Sequence, residues 1–377
     1  MIGVASFVIG LILAGTAPSM VVFILSRAVQ GFGAGILVSV IYACVGQGYP
    51  EQLKPRMVAM LASAWVIPGL IGPALAGIIS DFFGWRWVFL GLVFILPLGI
   101  GLVLPALRKL TLLKKNREAR TYDVHRLLAT AGLVAGAGMT LTGLQVQSVP
   151  LALALLLFGL AIGTPSLRYV LPPGTLRVKA GLPAAIVTIG LLSIAFFGAE
   201  AFLPLTLISI RGQNTIIAGL ALTAATISWT AGSWLQAHFA PKQSRRTLVL
   251  SGLFIIALGI AGIAIILIPA IPAQIAILAW GVGGLGMGLA YSTISLVVLE
   301  TAPKDQVGSA SASMELSSVL GTALGTGLGG VIIAFTAGTG RSQSWGIAVI
   351  DIIVFAFIGL ACLAAIRLPG STPQNSA

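Results

Sequence analysis

Acidic residues are scarce in this sequence, with nine Asp and Glu in 377 residues against 21 Lys and Arg. Charged residues of both signs reach only 8%, far too few to cover the surface of a soluble fold of this length. Histidine is nearly absent. His125 and His238 stand at the edges of apolar runs, where a solvated side chain is the simplest reading. The two cysteines, Cys44 and Cys362, fall inside apolar runs, so there is no disulfide framework and no metal-ligand spacing. No Ser or Cys nucleophile with a base and no His/Asp/Glu cluster stands out, which sets aside an intramembrane enzyme and any cofactor. A net charge of +12 does not mark a nucleic-acid binder either, because the basic residues are not gathered on a soluble domain.

Hydrophobicity is what the sequence does have. Hydrophobic residues make up 58% of the chain and the mean hydropathy is +1.07. Apolar runs of roughly 17–25 residues recur from end to end, each long enough to cross a hydrocarbon core of about 30 Å. Backbones with no water to bond must form helices or a closed barrel. These runs lack the two-residue alternation of barrel strands, so the class is all-α and membrane-spanning. The 47 glycines fit helices that pack closely in a bilayer. Twelve helices are expected, at 2–17, 20–45, 57–80, 86–106, 127–145, 149–165, 183–209, 214–238, 247–269, 273–298, 309–336 and 346–367. Turn residues separate them, among them Pro18, Pro50, Pro150, Pro172-Pro173-Gly174, Pro241, Pro272 and Pro303. The first run has no preceding Lys or Arg, unlike a signal peptide, and at about 25 Å it is slightly short of a full span. It reads as a chain that begins partway into a helix.

Basic residues alternate between the connections. With the amino terminus in the cytoplasm, 17 of the 21 fall inside, and only Arg86, Arg211 and Arg341 fall outside, with Arg27 inside a helix. The positive-inside rule therefore places both termini in the cytoplasm. The longest connection, 107–126, carries leucines among its basic residues and suits a short helix held on the inner leaflet by anionic lipid, or a solvated basic loop. A repeat divides the chain. Gly31, Gly33, Gly35, Pro50, Gly72 and Gly77 recur as Gly284, Gly286, Gly288, Pro303, Gly325 and Gly330, all displaced by 253. Duplicated halves enclosing a substrate site are the architecture of many secondary transporters.

Three motifs sharpen this. The second helix contains Arg27-Ala-Val-Gln30-Gly31-Phe-Gly33-Ala-Gly35, the third Pro68-Gly69-Leu-Ile-Gly72-Pro73-Ala-Leu-Ala-Gly77, and after it comes Trp85-Arg86-Trp87. Together they resemble the major facilitator superfamily, in particular its fourteen-helix drug–proton antiporter branch. The resemblance spans the chain but lacks that branch's first two helices and the basic loop after them, so the twelve helices look like helices three to fourteen. It implies an incomplete amino-terminal half at 1–106, the cytoplasmic loop 107–126, an extra central pair at 127–165, and a second loop at 166–182. A carboxy-terminal half at 183–367 and a cytoplasmic tail at 368–377 complete it. It also implies an inner-membrane monomer that exports lipophilic or cationic small molecules against protons. The competing readings are a proton-coupled transporter of one metabolite, such as a siderophore, sugar or amino acid, and a truncated membrane protein that does not transport.

Charge within the bilayer is a functional signal by default. The resemblance gives Arg27 a part in proton coupling. An arginine holds its proton at working pH, so its role is to tune a nearby acid, oriented by Gln30. Glu200, about 12 Å in from the outer side, is the best titratable candidate, because a low-dielectric surrounding penalises a charged carboxylate. Glu315 enters from the cytoplasmic side and aligns with Ala62 in the repeat, whereas Asp351 lies near enough the outer surface to be solvated. The antiporter motif assigns gating to Gly69, Gly72, Pro73 and Gly77, with Gly72-Pro73 as a bend. Phe196, Phe197 and Trp229, with Trp234, offer aromatic surface to a lipophilic cation.

Overall fold

A computed structural model describes residues 2–112, 124–144, 146, 148–303 and 306–370. They form thirteen α-helices: α1 (Ile2–Gly15), α2 (Met20–Gly48), α3 (Lys54–Ser63), α4 (Val66–Phe83), α5 (Arg86–Leu112), α6 (Val124–Gly143), α7 (Val149–Val170), α8 (Leu182–Leu205), α9 (Thr215–Phe239), α10 (Arg245–Ile265), α11 (Ile275–Thr301), α12 (Val307–Gly338) and α13 (Gln343–Ala365). Among the described residues there is no strand, and nine helices are long and apolar enough to cross a membrane. Ile2–Gly15 and Arg86–Gly99 are shorter apolar segments. The chain is thus a multi-pass membrane protein. The expected 107–126 connection lies mostly outside the described residues, although α5 runs on to Leu112.

The expected helix at 57–80 is two helices. Pro68 has no N–H for the carbonyl of Ala64, one turn back. The chain tightens there instead, with Ala64 N–H bonding to Leu61 and Met60 and Trp65 N–H to Ala62. The interruption therefore precedes Pro68, and Gly72-Pro73 lies within α4. Helix starts follow the sequence more simply. Asn214, Ser244 and Ser342 accept hydrogen bonds from the amides of Ile217, Thr247 and Trp345 at 3.0, 3.1 and 3.3 Å, which satisfies donors that a helix start leaves unpaired.

By contacts the chain divides into two units, 1–48 with 67–123, and 49–66 with 124–377. In the first, α1 packs on α2 and α5. A Cβ at Gly10 would lie 2.5 Å from the amide of Gln30, and one at Gly33 would lie 2.4 Å from that of Phe7, so only glycine lets α1 and α2 approach this closely. Ser6 donates to the carbonyl of Val29 across the same seam.

The second unit is built on pairs: α6 with α7, α8 with α12 and α13, and α11 with α9 and α10, while α3 lies against α9 and α11. Glycines again set the spacing. Cβ atoms at Gly284 and Gly288 would come within 2.2 Å of the Ala225 carbonyl and 2.0 Å of the Trp229 carbonyl. Gly288→Ala is expected to force α9 and α11 apart at a cost of about 1–3 kcal/mol. It lowers the thermal midpoint followed by tryptophan fluorescence, while Gly330→Ala, whose Cβ meets nothing within 4 Å, leaves it unchanged.

α8 ends unusually. Pro204 lies inside its last turn and removes the amide that would bond the carbonyl of Glu200. The chain then widens into a π-turn at Thr206–Ile210, a form often found beside functional positions. Arg211 follows and donates to the carbonyls of Ile268, Pro269 and Ile271, tying this turn to the connection between α10 and α11.

Candidate functional site

The second unit gathers aromatic side chains from three helices. On α8, Phe196 stacks on Trp280 of α11, with ring centroids 4.7 Å apart and planes within 18°. Trp229 of α9 stands edge-on to Phe196 at 5.8 Å, lies 6.2 Å from Phe197 and 5.6 Å from Tyr291 of α11. The chain of rings ends on a carboxylate, because the Tyr291 hydroxyl donates a hydrogen bond to Glu315 of α12. Offset and edge-on pairs of this kind hold aromatic side chains in fixed positions.

Burial separates two layers. Phe196 is 1% exposed and Trp280 fully covered, so these two are a floor and Phe196 is not an open contact surface. Phe197, Trp229, Tyr291, Glu200 and Glu315 are each partly exposed. Glu200 follows Phe196 and Phe197 by four and three residues on α8, which puts all three on one face within a turn. The arrangement presents π-faces between two carboxyl groups on different helices, a surface suited to a flat apolar cation. Trp234, also named from the sequence, sits apart from it and donates to Ser63 of α3 at 2.8 Å.

Asp351 departs from expectation. It is 5% exposed, and its Oδ2 has no hydrogen-bond partner among the described residues. α13 packs on α8, α10, α12 and the π-turn, so neighbouring helices enclose a position that depth along its own helix leaves near water. A second acid, Glu300 of α11, is met by the guanidinium of Arg245 through two bonds, Nε to Oε2 at 3.0 Å and Nη2 to Oε1 at 2.8 Å. A further bond from Arg245 Nη1 reaches the Ala240 carbonyl. Tyr291, Trp280 and the Arg245–Glu300 pair carry no local motif, since each acquires its meaning from a partner more than ten residues away.

The remaining candidates belong to the first unit. Arg27 on α2 donates through Nη1 to Oε1 of Gln30, three residues on, and its guanidinium lies 5.7 Å from the centre of the Phe89 ring. Phe89 in turn meets Phe23 and Trp85 edge-on at 5.5 and 6.2 Å. Beside them a cleft of about 330 Å³ is lined by Ala17–Met20, Phe23, Trp85 and Arg86. Arg86 stacks over Trp85 and donates to the Ala17 carbonyl. Gly69, Gly72, Pro73 and Gly77 lie along α4, and within this unit nothing comes within 4 Å of a Cβ at Gly72. The three basic residues that break the charge alternation are all engaged: Arg86 as above, Arg211 on three carbonyls, and Arg341 over the ring of Trp345 at 4.2 Å.

Comparison with known proteins gives this geometry a context. Residues 1–326 match the profile of the Major Facilitator Superfamily. The chain is 26% identical to the uncharacterised transporter YebQ of Escherichia coli over 97% of its length and 80% of that protein's. It is 26% identical to the multidrug resistance protein Stp of Mycobacterium tuberculosis, over 90% of this chain and 64% of Stp. Against the multidrug efflux pump SdrM of Staphylococcus aureus the figure is 25%, covering 89% and 75%. The chain thus spans less than two thirds of the length of some of these relatives. Among solved structures, the human organic anion transporter MFSD10 superposes with a TM-score of 0.64 at 12% identity, over 96% of this chain and 75% of that one. The proton:xylose symporter XylE gives 0.59 at 16%, over 97% and 78%. At those identities the likeness is one of fold.

Proposed function

This chain belongs to the major facilitator superfamily of membrane transporters, and from that premise we propose that it exports lipophilic or cationic small molecules in exchange for protons. The observation that carries the proposal is the run of rings from Phe197 through Trp229 to Tyr291, with Glu315 bonded at its end and Glu200 one turn from Phe197 on α8. Two of the relatives, Stp and SdrM, are named for multidrug resistance or efflux and support the substrate class.

In the proposed cycle a cation enters against Trp229 and Phe197, drawn by the ring faces and by whichever carboxylate is ionised. Glu200 carries the coupling proton: cation binding favours its charged form and expels the proton, and reprotonation releases the cation. Glu315, held by Tyr291, contributes charge to the site at a fixed position. Phe196 and Trp280 keep the rings in register from behind. Arg27, steadied by Gln30, tunes coupling from the amino-terminal unit, and the Gly69, Gly72, Pro73 and Gly77 face of α4 acts in gating. We place the protein in the inner membrane as a monomer with both termini in the cytoplasm, and the basic 107–126 connection against anionic lipid.

The test is export itself. Everted membrane vesicles carrying the chain are expected to accumulate ethidium, a planar lipophilic cation, when acidified inside by respiration, and to lose it when a protonophore is added. Accumulation no greater than in vesicles without the chain would remove the proposal.

A further inference from the structure

At one end of the carboxy-terminal unit the connection between α7 and α8 folds into a compact basic loop. Leu171 is extended, as a residue before proline must be, and Pro172-Pro173 carries the chain away from α7. A single 3₁₀ turn at Thr175–Arg177 follows, flanked by left-handed residues, Gly174 at φ +92° and Val178 at φ +49°. The loop closes on itself through Lys179 N–H to the Gly174 carbonyl at 3.1 Å. Gly174 is favoured by its φ, which suits glycine, and a Cβ there would also displace the Lys179 side chain, whose Cδ would lie 2.7 Å away.

The loop is also pinned from outside. Arg367, just past α13, donates to the carbonyls of Arg177 and Val178 at 2.9 and 2.8 Å, and Gly181 N–H bonds back to the Arg367 carbonyl. Arg246 at the start of α10 holds the Leu368 carbonyl with two bonds. These fixed segments leave a cavity of about 220 Å³ lined by Arg168, Pro172, Pro173, Arg177 and Lys179 among others. Among the described residues, none of the Arg168, Arg177 and Lys179 side chains makes a hydrogen bond or ion pair. Arg168 lies two residues before the end of a membrane-length helix, and Leu176 on the rim is 53% exposed. Basic, apolar-rimmed and set where a span leaves the bilayer, the cavity has the character of pockets that hold anionic headgroups.

We propose that this cavity binds the headgroup of an anionic phospholipid, with Arg168, Arg177 and Lys179 around its phosphodiester and Leu176 against the acyl region. Its lining residues belong neither to 107–126 nor to the aromatic site, and the proposal does not depend on what is exported.

Purified full-length protein, stripped of lipid in neutral detergent, is titrated with phosphatidylglycerol or phosphatidylcholine, and bound lipid is counted by native mass spectrometry. Wild type is expected to prefer phosphatidylglycerol, and the combined Arg168→Gln, Arg177→Gln, Lys179→Gln variant to bind it about tenfold or more weakly. Arg341→Gln, whose arginine instead lies over Trp345, retains the preference. If the triple variant does not purify as a single species, the three single variants carry the test, each with a graded loss. An unchanged preference in these variants, or an equal loss in Arg341→Gln, overturns the proposal. So does full displacement of the lipid by millimolar inorganic phosphate, which would assign the cavity to the free anion.

Discussion

Glu200→Gln is expected to abolish proton-driven accumulation of ethidium, while cation–cation exchange across the membrane persists at higher ethidium concentration through the rings and Glu315. Glutamine matches the carboxyl in shape but cannot bind and release a proton, so the change removes the coupling chemistry without emptying the site. Three features of α8 place the burden on this acid. No hydrogen bond or ion pair holds Glu200 among the described residues, so its carboxyl is not committed to a structural partner. Pro204 frees the backbone carbonyl of the same residue, and the π-turn that follows weakens the helix just where a change of charge must be felt. Glu315 differs, because Tyr291 already bonds it and a glutamine oxygen there would still accept that bond. Glu315→Gln is therefore expected to weaken cation binding but keep proton dependence. A structural role for Glu200 would move exchange and driven transport together, so reading both separates the two roles.

Trp229→Ala is expected to weaken ethidium binding by roughly 10–100-fold, with Trp229→Phe recovering most of it. Trp229 is the only ring that touches Phe196, Phe197 and Tyr291 at once among the described residues. Its removal forfeits its own face, worth about 0.5–2 kcal/mol toward a cation, and frees Phe197 and Tyr291, whose ring pairs with it are worth about 0.5–1.5 kcal/mol each. The ring pairs are lost from the free protein as well as from the complex, so only part of their energy reaches binding; a net loss of about 1.4–2.8 kcal/mol, at about 1.4 kcal/mol per factor of ten, gives the range stated. Binding is read by fluorescence anisotropy of ethidium on purified protein. Trp234→Ala, outside the cluster and bonded to Ser63, should leave it within about twofold. Equal losses at both positions would mean that general destabilisation, not the ring cluster, governs binding.

Much of the architecture was readable because its causes are local. An uninterrupted apolar run has only the helix available to it in a bilayer, and every expected span from 127 onward appears as one helix. The exception is 57–80, where Pro68 divides one expected span into α3 and α4. A proline interrupts a helix through the carbonyl four residues behind it, which puts the break at Ala64–Trp65. The glycine repeat was legible as a pattern and not as a contact. Gly284 and Gly288 are pressed against α9, whereas their counterparts Gly31 and Gly35 meet nothing within 4 Å inside their own unit. The site was legible by pieces. Phe196, Phe197, Trp229, Glu200 and Glu315 stand out as aromatic or acidic residues on apolar helices, but the link through Tyr291 joins α9, α11 and α12 and exists only in three dimensions. Asp351 shows the reverse error. Depth was measured along α13 alone, while α8, α10 and α12 decide whether water reaches it.

The proposed exchange of a proton for a cation at one site is tested most directly by counting protons when a cation binds. Purified protein in weakly buffered detergent solution is mixed with ethidium, and proton release is followed with a pH-indicator dye alongside binding. The mechanism requires about one proton released per ethidium bound, with Glu200→Gln binding ethidium more weakly and releasing none at a concentration that saturates it. Ethidium binding to the wild-type protein with no proton released, or an undiminished release from Glu200→Gln, would contradict it.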